Sequence, residues 1–246
     1  MNNRIELMGC NIDNLSMNET LDKIERLIES GDTHQHVVVN VDKIVKANKD
    51  TKLKEIINSC SLVNVDGMPV VWVSRLLGKP LKQRVAGVDL FEKLMERSSK
   101  KKLKVFLLGA KEEVVSKTKE IYENKYNHQS IVGYRNGYWT DAEEKEVVQQ
   151  IKEAEPDMLF VAISSPKKEE FLNKYQKAMN VPFSMGVGGT FDVAVGKVKR
   201  APILMQNLGL EWFYRFLQEP RRMFKRYFVD DIAFFKLLLI EIKNNK

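Results

Sequence analysis

Short apolar runs rich in β-branched residues punctuate this chain, and between them apolar positions recur every three or four residues. The runs are Val37–Val41, Leu62–Val65, Val105–Leu108, Ile131–Tyr134, Met158–Ile163 and Phe183–Val187, and their length and composition predict strands. In the intervening stretches Leu21, Ile24, Leu27 and Ile28 fall on one helical face. Leu90, Phe91, Leu94 and Met95 do the same, as do Val147, Val148 and Ile151. Strands alternating with amphipathic helices predict an α/β fold, a parallel sheet with helices on both faces. A run apolar throughout, such as Leu159–Ile163, suits the centre of that sheet, where both faces are covered. The punctuation agrees. Gly31 follows the first helix as a candidate C-cap, and Pro69 sits where a helix can start, just after Asp66-Gly67. Thr140 with Glu143 has the spacing of a capping box, and Pro156 closes the helix that begins there.

The pattern changes after Gly196. Lys197–Pro202 is a short basic linker, and helical spacing resumes at Leu204, Leu208, Trp212 and Tyr214–Arg215. Pro220 interrupts it, and a second helix is expected from Arg221 to about Ile242. The chain therefore divides into an α/β core, 1–196, and a helical appendage, 197–246. On the second helix Met223, Tyr227, Phe234 and Leu238 form one apolar stripe, and Phe224, Phe228, Phe235 and Leu239 form its neighbour. Arg222, Lys225 and Arg226 crowd the first turns.

Charge follows the same division. The formal net charge is +7, and from Lys197 onward eleven Lys/Arg against five Asp/Glu leave +6 of it in the appendage. A basic, aromatic segment can meet an anionic membrane, nucleic acid or an acidic ligand. Its apolar stripes need a bilayer or the core to cover them, which argues against nucleic acid. The alternative is that the segment packs as two further core helices. No apolar run approaches the ~20 residues of a spanning helix, and the N-terminus, MNNRIELMGC, lacks the apolar stretch of a signal peptide. Cys10 and Cys60 belong to no CxxC or His/Cys cluster, which fits a reducing compartment and speaks against structural zinc. His34, His36 and His128 have no spacing that suggests a metal site or a triad, and no GxSxG is present. Nucleophilic hydrolysis has no support.

In a doubly wound sheet, ligands bind beyond the carboxyl ends of the strands, and five loops at such ends carry chemistry. In Asn64-Val65-Asp66-Gly67-Met68-Pro69 the carboxylate follows a buried strand, so Asp66 is either a general base for an attacking hydroxyl or a cap for the next helix. In Phe106-Leu107-Leu108-Gly109-Ala110-Lys111, Gly109 either lets a backbone approach a nucleotide or makes a plain tight turn. Gly186-Val187-Gly188-Gly189-Thr190-Phe191-Asp192 presents bare N–H groups that can cradle a diphosphate, or marks a close backbone crossing. Ser164-Ser165-Pro166-Lys167-Lys168-Glu169 opens a helix with two lysines that can meet a phosphate or simply face solvent. In Gln83-Arg84-Val85-Ala86-Gly87-Val88-Asp89-Leu90, Arg84 suits phosphate geometry, and Asp89 can cap the helix that follows.

Taken in order, these motifs resemble one family. They are Asn40, Val65-Asp66-Gly67, Leu76–Pro80, Arg84–Phe91, Phe106–Gly109, Pro166-Lys167, Gly186–Asp192, Gly196–Pro202, Leu208–Trp212, Arg215 and Glu219–Arg222. The ordered set is similar to the WecG/TagA/CpsF family of bacterial glycosyltransferases, from about Asn40 to Arg226. The resemblance implies a Rossmann-like core with a C-terminal helical appendage and an inverting transferase that needs no metal or other cofactor. It implies a UDP-sugar donor carrying N-acetylmannosamine or a related hexose. The implied acceptor is a polyprenyl-diphosphate-linked sugar at the cytoplasmic membrane face, and the products feed teichoic acid or other surface polysaccharide. By motif, Asp66 is implied as the catalytic base and Asn40 as a pocket residue that positions a sugar. Arg84 is implied as a diphosphate or acceptor contact, and Arg215, Arg221 and Arg222 as arginines that close over the donor diphosphate and stabilise the leaving UDP. Gly109, Lys168, Gly188, Gly189 and Asp192 complete the expected substrate contacts. Two positions depart from the pattern: Val38 stands where many relatives carry Thr, and Lys168 where many carry Gln. Both line the expected sugar pocket, so the donor sugar stays open. The expected protein is cytoplasmic and peripheral on the anionic inner membrane face, with homo-oligomers possible. A basic-tailed nucleic-acid binder and a non-catalytic UDP-sugar binder are the other readings.

Overall fold

The protein, seen here in a computed structural model, is described for residues 4–126, 130–225 and 232–244. The expectations for His128, Arg226, Tyr227 and Phe228 fall outside the described residues, as does the side chain of Arg222. Six strands form one parallel sheet: β3 (His34–Val39), β4 (Leu62–Val65), β5 (Val105–Gly109), β6 (Ile131–Arg135), β7 (Met158–Ala162) and β8 (Phe183–Gly186), in the order β4-β3-β8-β7-β5-β6. All six match the apolar runs. A separate antiparallel hairpin, β1 (Arg4–Leu7) with β2 (Cys10–Asp13), precedes them.

Alternate strand residues feed opposite faces, as the pleat requires. Val105, Leu107, Met158 and Phe160 join one core cluster with Leu21 and Ile24 of α1 (Met17–Glu29), Phe91 of α5 (Gly87–Lys101) and Val115 of α6 (Glu112–Tyr126). Phe106, Leu108, Leu159 and Val161 face the other way, onto α7 (Glu144–Glu153) and α8 (Lys167–Met179). Val37, Val39, Val63 and Val65 pack on α2 (Val41–Lys49), α3 (Thr51–Ser59) and α4 (Met68–Leu76). The sheet is thus covered on both sides, as a doubly wound Rossmann-like fold demands.

Local chemistry adjusts several boundaries. The strand expected to reach Val41 ends at Val39, because Asn40 caps α2: its Oδ1 accepts from the Lys43 N–H at 2.9 Å. Gly31 has the positive φ, 78°, of a residue just past a helix end. Thr140 does not cap α7. Its amide and hydroxyl both donate to Glu143 Oε2, at 2.7 and 2.8 Å, which closes a turn, and the helix begins after it. The hairpin is held by Asp13, which accepts from Arg4, Lys23 and the Val63 N–H, each at 2.8 Å.

After the short helix α9 (Thr190–Ala194) come α10 (Ile203–Asn207), α11 (Glu211–Gln218), α12 (Pro220–Lys225) and α13 (Ile232–Asn244). The first expected appendage helix is two, because Gly209 turns the chain at φ 73° between α10 and α11. Pro220 opens α12, where its missing N–H costs nothing. Among the described residues after Ala194 no strand occurs. Phe234 of α13 is buried in the core cluster beside Val37 and Val70.

Candidate active site

Four neighbouring strands, β4, β3, β8 and β7, end at one cleft of about 370 Å³. Asn40 follows β3, Asp66 follows β4, Gly188 and Gly189 follow β8, and Ser165 and Lys168 follow β7; all line it. Asp192 on α9 and Arg215 on α11 complete the wall.

Asp66 does not cap the helix after it. Gly67 holds that position without any side-chain bond, and Asp66 Oδ2 instead accepts from the Gly87 N–H, the first residue of α5, at 3.3 Å. Burial pushes the Asp66 carboxyl above the ordinary aspartate range, while Arg84, the Gly87 N–H and Arg215 pull the other way. A carboxylate poised in this way at a cleft wall can accept a proton.

The cleft floor carries a buried charge cluster. Lys43 Nζ and Lys168 Nζ lie 2.6 and 2.9 Å from Glu169 Oε1. Burial alone would raise Glu169, but the two ammonium groups hold it at about 2. Lys168 is lowered to about 8 by burial and by Lys43 beside it. Its stem runs so close to Gly186 that a Cβ there would stand 2.8 Å from Lys168 Cδ. Gly188, at φ 55°, and Gly189 are different: a Cβ at either would meet nothing within 4 Å, which leaves their backbone open to the cleft. Asn40 spends Oδ1 on its cap, and its Nδ2 has no partner among the described residues.

Three expected residues stand elsewhere. Arg84 lines a neighbouring cleft, donates from Nη1 to Glu211 Oε2 at 3.0 Å, and reaches Asp66 through its charge alone. Gly109 ends β5, on the far side of β7 from the cleft, and at φ 123° its α-carbon packs on Ala162, whose carbonyl oxygen a Cβ would approach to 2.5 Å. Arg221 is exposed on α12 and lines neither cleft. Lys43, Glu169, Arg200 and Glu211 take part without any role expected of them, although the last three lie within the motifs quoted above. Arg200 Nη1 donates to Asp89 Oδ1 at 2.5 Å, and its Nε lies 3.6 Å from Glu211 Oε1. With Arg84 these residues tie α11 to the segment beside Asp66. Glu211 had a signal, being the single acid between Lys197 and Gln218. Lys43 had none, because its partner lies 126 residues away. Among the described residues, no three His, Cys, Asp or Glu side chains gather as a metal site would require.

The chain matches the model of the glycosyl transferase WecG/TagA/CpsF family over residues 5–246. It is also similar to two N-acetylglucosaminyldiphosphoundecaprenol N-acetyl-beta-D-mannosaminyltransferases. One, from Bacillus subtilis, is 38% identical over 208 residues, 85% of this chain and 80% of the relative. The other, from Bacillus spizizenii, is 38% identical over 186 residues, 76% of this chain and 72% of the relative. Matched by the family's model over nearly its whole length, and 38% identical to two of its transferases, the chain belongs to the WecG/TagA/CpsF family of glycosyltransferases.

Proposed function

We propose that this glycosyltransferase moves N-acetylmannosamine or a related hexose from a UDP-sugar to a polyprenyl-diphosphate-linked N-acetylglucosamine, with inversion and without a metal, in the assembly of a surface polysaccharide. The observation that carries the reading is the half-buried Asp66 carboxyl at the end of β4, lining one cleft with the open backbone of Gly188 and Gly189 and with Arg215. The acceptor is supported by the two Bacillus relatives, which are N-acetylglucosaminyldiphosphoundecaprenol-dependent transferases.

In this mechanism Asp66 takes the proton of the acceptor hydroxyl as that oxygen bonds to the anomeric carbon. The bond from that carbon to the diphosphate breaks, and its electron pair leaves on UDP. Gly188 and Gly189 give N–H groups to the diphosphate, and Arg215 offsets the charge that develops there. Asn40 Nδ2 faces the donor sugar, with the Lys43–Glu169–Lys168 cluster beneath it. Arg84 steadies the ionised form of Asp66.

The appendage also supports membrane association. α13 turns Phe234 inward, yet Ile232, Phe235, Leu239 and Ile240 are exposed. An exposed apolar surface on a helix that also carries Lys236 and Lys243, next to a basic segment, is suited to lie in an anionic membrane surface. Among the described residues no helix is long and apolar enough to cross a membrane.

The test is UDP release from a panel of UDP-sugars, with and without a short-chain prenyl-diphosphate-linked N-acetylglucosamine and with EDTA present. Acceptor-dependent release from one donor, unaffected by EDTA, is expected. Release that ignores the acceptor, or no release from any donor, contradicts the reading.

A further inference from the structure

A second cleft, of about 600 Å³, opens beside the first, walled by the start of α1, α4, residues 82–93 and α10. The two clefts share a partition. Asp66 and Val88 face the first, whereas Met68 and Asp89 face the second. Arg84 stands on the second cleft's wall and still acts on the Asp66 carboxyl.

The second cleft is basic. Arg75, Lys82, Arg84 and Lys93 line it, against Asp89. Lys82 is paired with Glu19 at 2.6 Å, Arg84 with Glu211 at 3.0 Å, and Asp89 with Arg200 at 2.5 Å. Arg75 and Lys93 have no ion pair among the described residues. The helices that wall it also carry uncovered apolar side chains. Trp72 and Leu76 on α4 are 45% and 67% exposed, and Leu204 and Leu208, at α10, 70% and 58%. These ridges meet where the Gly209 turn sits on Met68 and Trp72. Exposed cations without an ion pair on its wall, and uncovered apolar side chains on the adjoining α4 and α10 segments, suit a ligand with an anionic head and an apolar chain.

We infer that this second cleft holds the diphosphate of the lipid-linked acceptor. Arg75 and Lys93 contact its phosphates, and the Trp72–Leu76 and Leu204–Leu208 ridges carry its first prenyl units. The inference rests on the acceptor proposed above and adds where it binds. Two substrates that each carry a diphosphate repel one another, and separate clefts keep those charges apart. The sugar of the acceptor then crosses the partition and brings its hydroxyl to Asp66.

Farnesyl diphosphate is the probe, titrated calorimetrically into the full chain with UDP held at saturation. Binding to the wild type is expected despite the UDP. The Arg75→Glu/Lys93→Glu double variant is expected to weaken it by about tenfold or more, with UDP affinity unchanged. Arg75→Gln/Lys93→Gln, milder at two exposed sites, should weaken it in the same direction. Competition between UDP and farnesyl diphosphate would overturn the inference, since it means one shared diphosphate site. So would wild-type protein that does not bind the probe, or variants that bind it as wild type does. The broader reading fails separately, as a wild type that releases no UDP from any donor.

Discussion

The Asp66 carboxyl is pulled both ways: burial favours its neutral form, and Arg84, Arg215 and the Gly87 N–H favour its charged form, with burial the stronger. As the proposed base it works ionised. The acid limb of kcat/KM should therefore fall at a pH above the ordinary aspartate value of about 3.9, and a pH-rate profile reads this directly. Stability carries the opposite sign. A group whose folded pKa is raised stabilises the fold below its unfolded pKa, and that contribution is lost as pH rises through the folded pKa. At neutral pH the ionised Asp66 is thus a cost, and Asp66→Asn should melt no lower than the wild type at pH 7; a drop of several degrees would contradict this. Glu169 runs the other way. With its pKa held at about 2, it stabilises the fold above its unfolded value and loses that contribution as pH falls toward 2. Glu169→Gln strands two buried ammonium groups and should cost about 3 kcal/mol, measured by urea unfolding. The sequence displayed Lys168 and Glu169 side by side, but Lys43 reaches them only because α2 follows β3, which the sheet sets between β4 and β8. Asp66 was legible as a candidate because it is a carboxylate straight after a buried strand; that it accepts from the Gly87 N–H, and does not cap α4, depends on where β4 lies beside residues 84–87.

At the scale of elements, two glycine turns that look alike in sequence part company. Gly188→Ala places a methyl in open cleft at φ 55°, and the backbone penalty alone should cost about 1 kcal/mol. Gly109→Ala meets the Ala162 backbone at φ 123° and should cost about 3 kcal/mol or more. Thermal or urea unfolding separates them, and UDP affinity should fall mainly for Gly188→Ala. Equal destabilisation would contradict the distinction between a ligand cradle and a packing contact. The strand pattern held for the large sheet because its strands are apolar on both faces and bounded by turns. The hairpin β1–β2 gave little signal. Its strands have four residues each, and Asp13 fastens it to β4 across 50 residues of chain. The break between α10 and α11 sits at a glycine, which the sequence shows, but the helical spacing on either side bridges it.

The whole molecule pairs a nearly neutral core with a basic appendage, and the appendage does two things. Through α11 it brings Arg215 to the cleft and Glu211 to Arg84 and Arg200. Through α13 it buries Phe234 in the core and leaves other apolar side chains uncovered. The charge asymmetry and the apolar stripes were visible in the sequence; the inward turn of Phe234 was not, because both stripes are equally apolar. Truncation after Gly196 is expected to abolish binding to anionic vesicles in a sedimentation assay and to lower the melting temperature, since the surface beneath Phe234 is exposed. The truncated chain should keep its α/β circular dichroism. Retention of vesicle binding would remove the appendage from the membrane role.

The central claim is that Asp66 does chemistry in a cleft that binds UDP. It is tested most directly by acceptor-dependent UDP release from wild type and Asp66→Asn, with UDP affinity measured on the same preparations. The account predicts turnover reduced by roughly 10²-fold or more and UDP affinity unchanged within about threefold. Turnover near wild type with intact UDP binding would contradict it.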